Sequence, residues 1–197
     1  MAQRARVAVF ASGAGTNLAA MLAYLSALGE QRAADIVLVI SDRASAGALE
    51  RASERGIRSA VLRNASDGGE ILQLLTGERV DLIALAGYLR LLPAAVVADY
   101  RNRVLNVHPA PLPRFGGPGM YGRRVHEAVL TAGVSESGVT VHFVDEEYDR
   151  GAVLAHWPVP IVPGDTAESL AQRVLATEHV VYPRVLEMVA ALTPSRI

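Results

Sequence analysis

Strand-like apolar runs alternate with helix-like segments through the first half of the chain. The strand-like runs lie at 7–10, 36–40, 59–62, 82–86 and 104–107, and the helix-like segments at 18–25, 46–55 and 71–75. Strands that are apolar on both sides must be covered on both faces, and strand–helix alternation is typical of parallel sheets with right-handed crossovers. The pattern therefore predicts an α/β fold with a mainly parallel central sheet and helices on both faces.

The second half of the chain lacks this alternation. Prolines and glycines interleave from residue 109 to residue 122, which predicts a long loop. The elements expected after it are a helix at 124–131, strands at 138–144 and 152–159, and a helix at 166–192. The short 145–151 connection lets these strands pair antiparallel, as a C-terminal addition to the sheet. Proline at position 183 predicts a break or kink in the last helix.

Composition bounds the class of protein. A length of 197 residues fits one domain, and a net charge of −1 gives no basic field for a nucleic acid. The chain has no cysteine, which excludes thiolate catalysis, and no apolar run reaches the roughly eighteen residues of a membrane span. Four histidines lack metal-ligand spacing and are interpreted as ordinary polar residues: His126, His142, His156 and His179. We expect a cytoplasmic enzyme or binding protein for small molecules, monomeric or homodimeric, with no metal, nucleic acid or membrane as partner.

A glycine-rich turn, Ser12-Gly13-Ala14-Gly15-Thr16-Asn17, joins the first strand to the first helix. Free backbone amides at a helix start, open to close approach because glycine has no side chain, form an anion site. A dinucleotide fingerprint would need glycine at position 18, which is Leu18, and the Gly-Lys-Ser/Thr of a P-loop is absent. The turn favours a single phosphate monoester; the alternative is an ordinary tight turn without a ligand.

Two polar side chains, Asn106 and His108, end the strand-like run before the proline-rich loop. Because the period of a strand is two residues, both should point into the same space. An amide donates a hydrogen bond without changing charge, and an imidazole exchanges a proton near neutral pH. If Asp149 comes close, its charge favours the imidazolium form of His108. Such a trio suits acyl-type transfer; the alternative is a polar strand cap and a solvated aspartate.

Five segments in order along nearly the whole chain carry a resemblance: 12–17, 85–90, 106–113, 119–122, and 141–144 with Asp149. They resemble the phosphoribosylglycinamide formyltransferase family. The resemblance implies a Rossmann-like formyltransferase fold in which residues 1–197 form one domain, with a phosphate-binding half (1–100) and a catalytic, folate-binding half (101–197). It implies transfer of the formyl group of 10-formyltetrahydrofolate, a co-substrate, to the amine of 5-phosphoribosylglycinamide in de novo purine biosynthesis, without a metal.

The same resemblance implies roles for particular residues. Asn106 and His108 would act on the formyl group, with Asp149 tuning His108. The ribonucleotide would be held by Gly15, Thr16, Asn17, Leu175, Ala176, Thr177 and Glu178. The folate would be held by Leu89, Arg90, Leu91, Leu92, Asn106, Asp145, Glu146, Glu147, Tyr148 and Asp149.

Two positions depart from the family pattern. The 61–75 segment is shorter than usual, and an arginine for the folate tail has no clear counterpart there, although Arg63 is near. Arg150 stands where a glycine is more usual. These departures bear on tail affinity and on the loop around Asp149, and leave the transfer chemistry intact.

Three rival functions use the same residues differently. Hydrolysis of formyltetrahydrofolate would need the trio and water but no phosphate loop, and relatives with that activity carry an amino-terminal regulatory domain. Transfer to methionyl-tRNA would call for a carboxy-terminal domain and a basic surface. A non-catalytic phosphosugar-binding module would keep the glycine loop without needing Asn106, His108 and Asp149 to converge.

Overall fold

A computed structural model describes residues 3–194, which form a seven-stranded sheet in the order β3-β2-β1-β4-β5-β6-β7. The strands are β1 (Ala5–Phe10), β2 (Ala34–Ser41), β3 (Arg58–Val61), β4 (Leu82–Leu85), β5 (Val104–His108), β6 (Glu136–Phe143) and β7 (Val153–Pro160). The helices are α1 (Thr16–Leu28), α2 (Gly47–Ser53), α3 (Gly68–Gly77), α4 (Ala94–Asp99), α5 (Arg123–Thr131) and α6 (Ala167–Leu192), with a 3₁₀ turn at Gly29–Gln31. Strands β1 to β5 pair parallel, whereas β6 and β7 pair antiparallel.

The predicted fold class is confirmed, but one helix was missed in the sequence and the break considered at Pro183 is absent. Helix α4 follows directly on Pro93, where no helix was expected. Helix α6 runs as one element through Pro183. Proline there lacks an N–H for the preceding turn, but it lies on the buried face of the helix between Tyr182 and Val185, where packing holds the helix together.

Two apolar cores cover the two faces of the sheet. In β1, Val7 and Val9 pack under α1 and α6, whereas Ala8 and Phe10 pack under α3 and α4. This division explains why the strand reads as one continuous apolar run. Burying a Val or Phe side chain contributes about 1.5–3 kcal/mol, so both layers of helices stabilise the sheet that carries the loops.

The strand order places a switch point beside β1, because β2 and β3 lie on one side of it and β4 and β5 on the other. Ligands of open α/β sheets bind at the carboxyl ends of the strands at such a point. The loops that leave β1 and β4 meet there. The Ser12 N–H donates to the Gly87 carbonyl at 3.1 Å, and the Ser12 hydroxyl accepts from the Leu89 N–H at 3.1 Å.

A buried hydroxyl ties α6 to the strands beneath this edge. Tyr182 is fully buried, and its hydroxyl lies 3.0 Å from the Leu85 carbonyl oxygen and 3.1 Å from the Leu105 carbonyl oxygen. Burial raises the pKa of Tyr182 well above its usual value, which keeps the hydroxyl a neutral donor. A buried carbonyl without a donor costs about 1–3 kcal/mol, so this contact holds α6 over the ends of β4 and β5.

Candidate active site

A cavity of about 300 Å³ opens at the carboxyl ends of β4 and β5. Its lining includes polar side chains from four parts of the chain: Asn17, Asn106, His108, Tyr148, Asp149 and Glu178. Segments 87–89 and 117–122 complete the wall. The structure therefore brings the predicted catalytic trio into one cavity with one end of the predicted phosphate loop.

Both ring nitrogens of His108 face acceptors. Its Nε2 lies 2.8 Å from the Phe115 carbonyl oxygen, and its Nδ1 lies 3.6 Å from Oδ2 of Asp149. A carbonyl oxygen only accepts, so Nε2 carries a proton. The distance to Asp149 exceeds that of a direct hydrogen bond and is too short to hold a bridging water, so the two groups interact by charge.

The protonation expected for His108 needs a correction. Burial lowers the pKa of His108 below its usual value, because it removes water from the charged form; nearby Asp149 and the Phe115 carbonyl act in the opposite direction. The predicted influence of Asp149 is thus present, but burial outweighs it. The proline-rich loop also returns Phe115 onto Nε2, a contact that the sequence did not indicate.

The backbone presents Asp149 to this cluster. Asp149 has a positive φ of 56°, a conformation that Asp tolerates better than most residues. A side chain at Gly151 would meet the Phe143 carbonyl at 1.8 Å, so glycine is needed for the close return of the chain to β6. Arg150 does not share the positive φ, which explains why arginine is accommodated there in place of glycine.

The Asp149 carboxylate is held ionised by its partners. Burial alone would raise its pKa, but contacts with His142 and His108 and a 2.9 Å hydrogen bond from the Gly117 N–H hold the pKa of Asp149 below its usual value. The carboxylate lies between two imidazoles, since His142 Nε2 is 3.6 Å from its Oδ1. The site thus contains a fixed negative charge next to His108.

His142 belongs to this cluster, although the sequence indicated only an ordinary hydrogen-bonded strand histidine. It is 1% exposed, and its Nε2 lies 3.1 Å from Nδ2 of Asn106. The pairing Asn106↔His142 between β5 and β6 brings the two side chains together. Only the register of that antiparallel pair, which sequence periodicity does not fix, could have indicated this contact.

The predicted phosphate loop is shaped by its backbone. Gly15 has a φ of 70°, and a side chain there would come within 2.7 Å of the Ala48 Cα atom. No side chain caps the start of α1, so its first amides have no side-chain acceptor, as an anion site requires. Arg51 lies beside the loop and donates from Nε to the Ala14 carbonyl at 2.8 Å.

Asn17 and Glu178 join this loop to α6. The Asn17 Nδ2 donates to Oε2 of Glu178 at 2.7 Å, while the Asn17 Oδ1 is buried and has no hydrogen-bond partner. Burial raises the pKa of Glu178 to about 7, opposed by the bond from Asn17. Glu178 was assigned to the ribonucleotide site, and the structure places it in the wall of the cavity.

Several residues assigned to ligand binding lie outside the central cavity. Of the folate segment after β4, only Leu89 lines it: Arg90 points to Asp42, Leu91 is exposed and Leu92 is buried in the core. The acidic residues Asp145, Glu146 and Glu147 line a second cavity, together with Val97 and Arg101 near α4.

On α6 the outcome is similar. Leu175 lies in a neighbouring cavity that shares Glu178, whereas Ala176 is exposed and Thr177 bonds to the Arg173 carbonyl within the helix. Consecutive residues of a helix point in different directions, so these four side chains do not all line one cavity. Their role in ribonucleotide binding stays a prediction.

Within residues 3–194, no group of three or more histidine, aspartate and glutamate side chains is arranged to hold a metal ion. Over the same range, no helix has both the length and the apolar character needed to cross a membrane.

The fold and the cavity have counterparts in known proteins. The family model described as formyl transferase matches residues 5–186. The chain is 41% identical over 202 residues to the chloroplastic phosphoribosylglycinamide formyltransferase of Arabidopsis thaliana. The match covers 99% of this chain and 68% of that protein.

Solved structures agree. Phosphoribosylglycinamide formyltransferase from Brucella melitensis superposes with a TM-score of 0.85 at 42% identity, over 96% of this chain and 97% of that one. A formyltetrahydrofolate deformylase from Pseudomonas syringae pv. tomato has the same TM-score at 25% identity, over 96% of this chain and 62% of that one. The chain therefore belongs to the formyl transferase family, among the phosphoribosylglycinamide formyltransferases.

Proposed function

We propose that the chain transfers the formyl group of 10-formyltetrahydrofolate to the amine of 5-phosphoribosylglycinamide, a step of de novo purine biosynthesis. The observation that carries this proposal is the single cavity shared by Asn106, His108 and Asp149 with Asn17 at the end of the glycine loop. A ribonucleotide whose phosphate sits at the loop would extend towards the trio. A cytoplasmic location and a monomeric or homodimeric state stay predictions.

The ribonucleotide would bind along the wall from α1 to α6. Its phosphate would accept hydrogen bonds from the amides of Gly15, Thr16 and Asn17, aided by the positive end of the helix dipole. Glu178, next along the wall and hydrogen bonded to Asn17, would accept from the sugar or from the glycinamide end. The unpartnered Asn17 Oδ1 supports a ligand donor at this point.

The folate would enter beside the loop that ends in Asp149. Leu89, Tyr148 and Asp149 line the central cavity, so the formyl-bearing nitrogen would lie between them and β5. The flat pterin needs backbone donors and acceptors with aliphatic walls. Leu92 and Val144 belong to one apolar core on this side of the sheet, which supports a shared slot for the two predicted folate segments.

The chemistry would proceed by direct attack. The amine nitrogen forms a bond to the formyl carbon, whose oxygen takes up the negative charge. The bond from that carbon to the folate nitrogen then breaks, and one proton moves from the attacking nitrogen to the leaving nitrogen. Asn106 would donate a hydrogen bond to the oxyanion, a contribution of about 10²–10³ in rate.

His108 would contribute charge and carry the proton. Because Phe115 occupies its Nε2, the free ring position is Nδ1 towards Asp149, and the transfer would use Nδ1 or a water bound to it from the cavity. Negative charge that develops on the formyl oxygen raises the pKa of His108. This offsets the lowering of the pKa by burial. Well-placed acid–base catalysis contributes about 10²–10⁴ in rate.

Hydrolysis of the folate is the main rival, because the same trio could activate water. The open amides of α1 and the Asn17–Glu178 pair favour the ribonucleotide as acceptor, since hydrolysis needs neither. Steady-state assays with 10-formyltetrahydrofolate, with and without 5-phosphoribosylglycinamide, separate these reactions. We expect release of tetrahydrofolate only when the ribonucleotide is present. Release at the same rate without the ribonucleotide would establish hydrolysis. No release in either assay would favour the non-catalytic phosphosugar-binding module.

Replacing Asp149 tests the role of the carboxylate. Asp149→Asn removes the charge that raises the pKa of His108, so the ring loses its proton at lower pH. The limb of the turnover profile on which activity falls as His108 deprotonates should therefore move to lower pH. The profile is measured from pH 5 to 9, with circular dichroism as the control for folding. Unchanged turnover and an unchanged profile would exclude Asp149 from the mechanism.

A further inference from the structure

Asn106 has a second, buried partner that no proposed step has used. We propose that His142 is a positioning residue, which fixes the orientation of the Asn106 amide so that an N–H, and not the amide oxygen, is presented to the formyl oxygen. The inference rests on the proposed formyl transfer, and it concerns how the oxyanion donor is held.

The proton on His142 can be assigned from its contacts. Its Nδ1 lies 2.8 Å from the carbonyl oxygen of Phe143, the next residue of β6. A carbonyl has no hydrogen to give, so Nδ1 must carry the proton. A neutral imidazole has only one N–H, and Nε2 is therefore an acceptor. The atom that faces Nε2 is Nδ2 of Asn106, at 3.1 Å.

These contacts form a directed chain of hydrogen bonds. The Asn106 amide donates to His142, and His142 donates to the Phe143 backbone. The backbone there is held in turn, because the Phe143 N–H donates to the Ala152 carbonyl at 2.9 Å and β6 pairs with β5 at Asn106↔His142. His142 is 1% exposed, so water cannot replace it as the acceptor.

The orientation of the amide decides its chemistry. The oxygen and nitrogen of an asparagine amide exchange places on a half-turn, and the two states have nearly the same shape. With Nδ2 bonded to His142, the second N–H remains for the cavity that Asn106 lines. In the flipped state the amide oxygen would face the developing oxyanion and repel it. His142 accordingly selects the state that stabilises the transition state.

Distance, and not charge, assigns the acceptor role to Nε2 of His142. Asp149 Oδ1 lies 3.6 Å from Nε2, beyond hydrogen-bond distance. The Asn106 amide is nearer and has a hydrogen to give. If Nε2 were protonated, its hydrogen would favour Asp149 and the Asn106 bond would be lost.

The tautomer can be measured without turnover. Two-dimensional ¹H–¹⁵N spectra of the ¹⁵N-labelled wild-type protein at about pH 8.5, where ordinary imidazoles are neutral, report which ring nitrogen carries hydrogen. We expect His142 to be protonated at Nδ1 only. A hydrogen at Nε2 would overturn the inference whether or not the protein transfers formyl groups, so failure here is distinct from failure of the proposed function.

Substitutions then test the consequence. His142→Gln keeps an acceptor near the position of Nε2, whereas His142→Leu removes it. We expect kcat to fall about tenfold in the Leu variant, the loss of one hydrogen bond, with KM for both substrates unchanged and most of kcat restored in the Gln variant. His156→Leu on β7 is the matched control, because that histidine is exposed and bonds to Thr140. Equal kcat in the Gln and Leu variants would overturn the proposal.

A double-mutant cycle separates positioning from general support of the fold. If His142 acts through Asn106, then His142→Leu should cause no further loss of kcat in an Asn106→Ala background. The same fold-loss in both backgrounds would show that His142 acts independently of Asn106 and would overturn the inference. If the Leu variant does not fold, the Gln variant and the tautomer measurement decide.

Discussion

The loop after β1 and the cluster at the end of β5 lie on the same edge of the sheet and are built in opposite ways. The loop has no charged side chain from Ser12 to Asn17, and its shape is set by the φ of Gly15 and its contact with Ala48. The cluster consists of buried side chains, two of them imidazoles on either side of a carboxylate.

The difference separates binding from catalysis in physical terms. Backbone amides do not titrate, so an anion site made from them presents the same donors at every pH. The proton affinity of His108 is instead a balance between burial and nearby negative charge. Above about pH 7, where a phosphate monoester has lost its second proton, we therefore expect phosphate binding to vary little with pH and turnover to vary strongly. Asn17 and Glu178 connect the two regions, and Glu178 brings one titrating group to the binding side.

The largest effect should come from the catalytic cluster. Asn106→Ala removes the proposed oxyanion donor and should lower kcat about 10²–10³-fold, or roughly 2.7–4 kcal/mol in the barrier. KM for the ribonucleotide should stay near wild type, because the loop is untouched. Steady-state kinetics measure both constants. A rise in KM with constant kcat would remove the distinction between the two regions.

The next effect concerns Glu178, where the two regions meet. Its pKa of about 7 in the folded protein lies above that of a carboxyl in an unfolded chain, so the folded state binds the proton more tightly. The resulting stability is fully present below about pH 4.3 and is lost as pH rises through about 7.

Glu178→Gln keeps the acceptor for Asn17 and removes this titration. Relative to wild type, the variant should gain up to about 3 kcal/mol in free energy of unfolding between pH 4.5 and pH 8. Urea denaturation at both pH values gives the difference. A pH-independent difference between the proteins would mean that Glu178 is ionised throughout.

A smaller effect is expected in the loop. Gly15→Val introduces a side chain against Ala48 and a strained φ, and it should weaken ribonucleotide binding about 10–100-fold through loss of an amide donor to a charged group. Calorimetry with the ribonucleotide and the folate separately measures this. Gly13→Ala is the matched control, because a side chain at Gly13 meets nothing within 4 Å. Equal loss of both affinities would indicate a folding defect instead of a phosphate site.

The smallest effect should come from Arg51, the cation beside the loop. Its charge is exposed to solvent screening, so Arg51→Ala should raise KM for the ribonucleotide only about two- to fivefold and leave kcat unchanged. Arg51→Lys, which keeps the charge, should restore most of the affinity. A larger effect on kcat than on KM would link the loop to the chemistry directly.

The sequence predicted well the parts of the structure that follow local rules. Apolar runs located the strands, and Asn106 and His108 reach one cavity because a strand has a period of two. Helix α4 was missed because its six residues are too few for a helical period to be recognised. A break at Pro183 was one of two predicted alternatives, and it does not occur because the buried face of α6 packs around that residue.

Contacts between distant segments could not be predicted in the same way. His142 approaches Asn106 through strand register, and Phe115 approaches His108 through the path of a proline-rich loop. The protonation of His108 depends on how deeply its ring is buried, and a sequence pattern does not give the extent of burial. Asp145, Glu146 and Glu147 lie together in a neighbouring cavity near α4, because the path of their loop, which the sequence does not reveal, sets which cavity they reach.

The hydroxyl of Tyr182 sets a limit on how this protein can change over evolution. It bonds to carbonyl oxygens on both β4 and β5, and it lies four residues after Glu178 on the same helix. The hydroxyl has one hydrogen to share between the two carbonyls, so sliding or rotation of helix α6 to receive a different acceptor would remove that donor from the sheet. New acceptor specificity would have to arise in the loops around residues 87–89 and 117–122. Glu178 would keep its position, because the packing of α6 on the core fixes it.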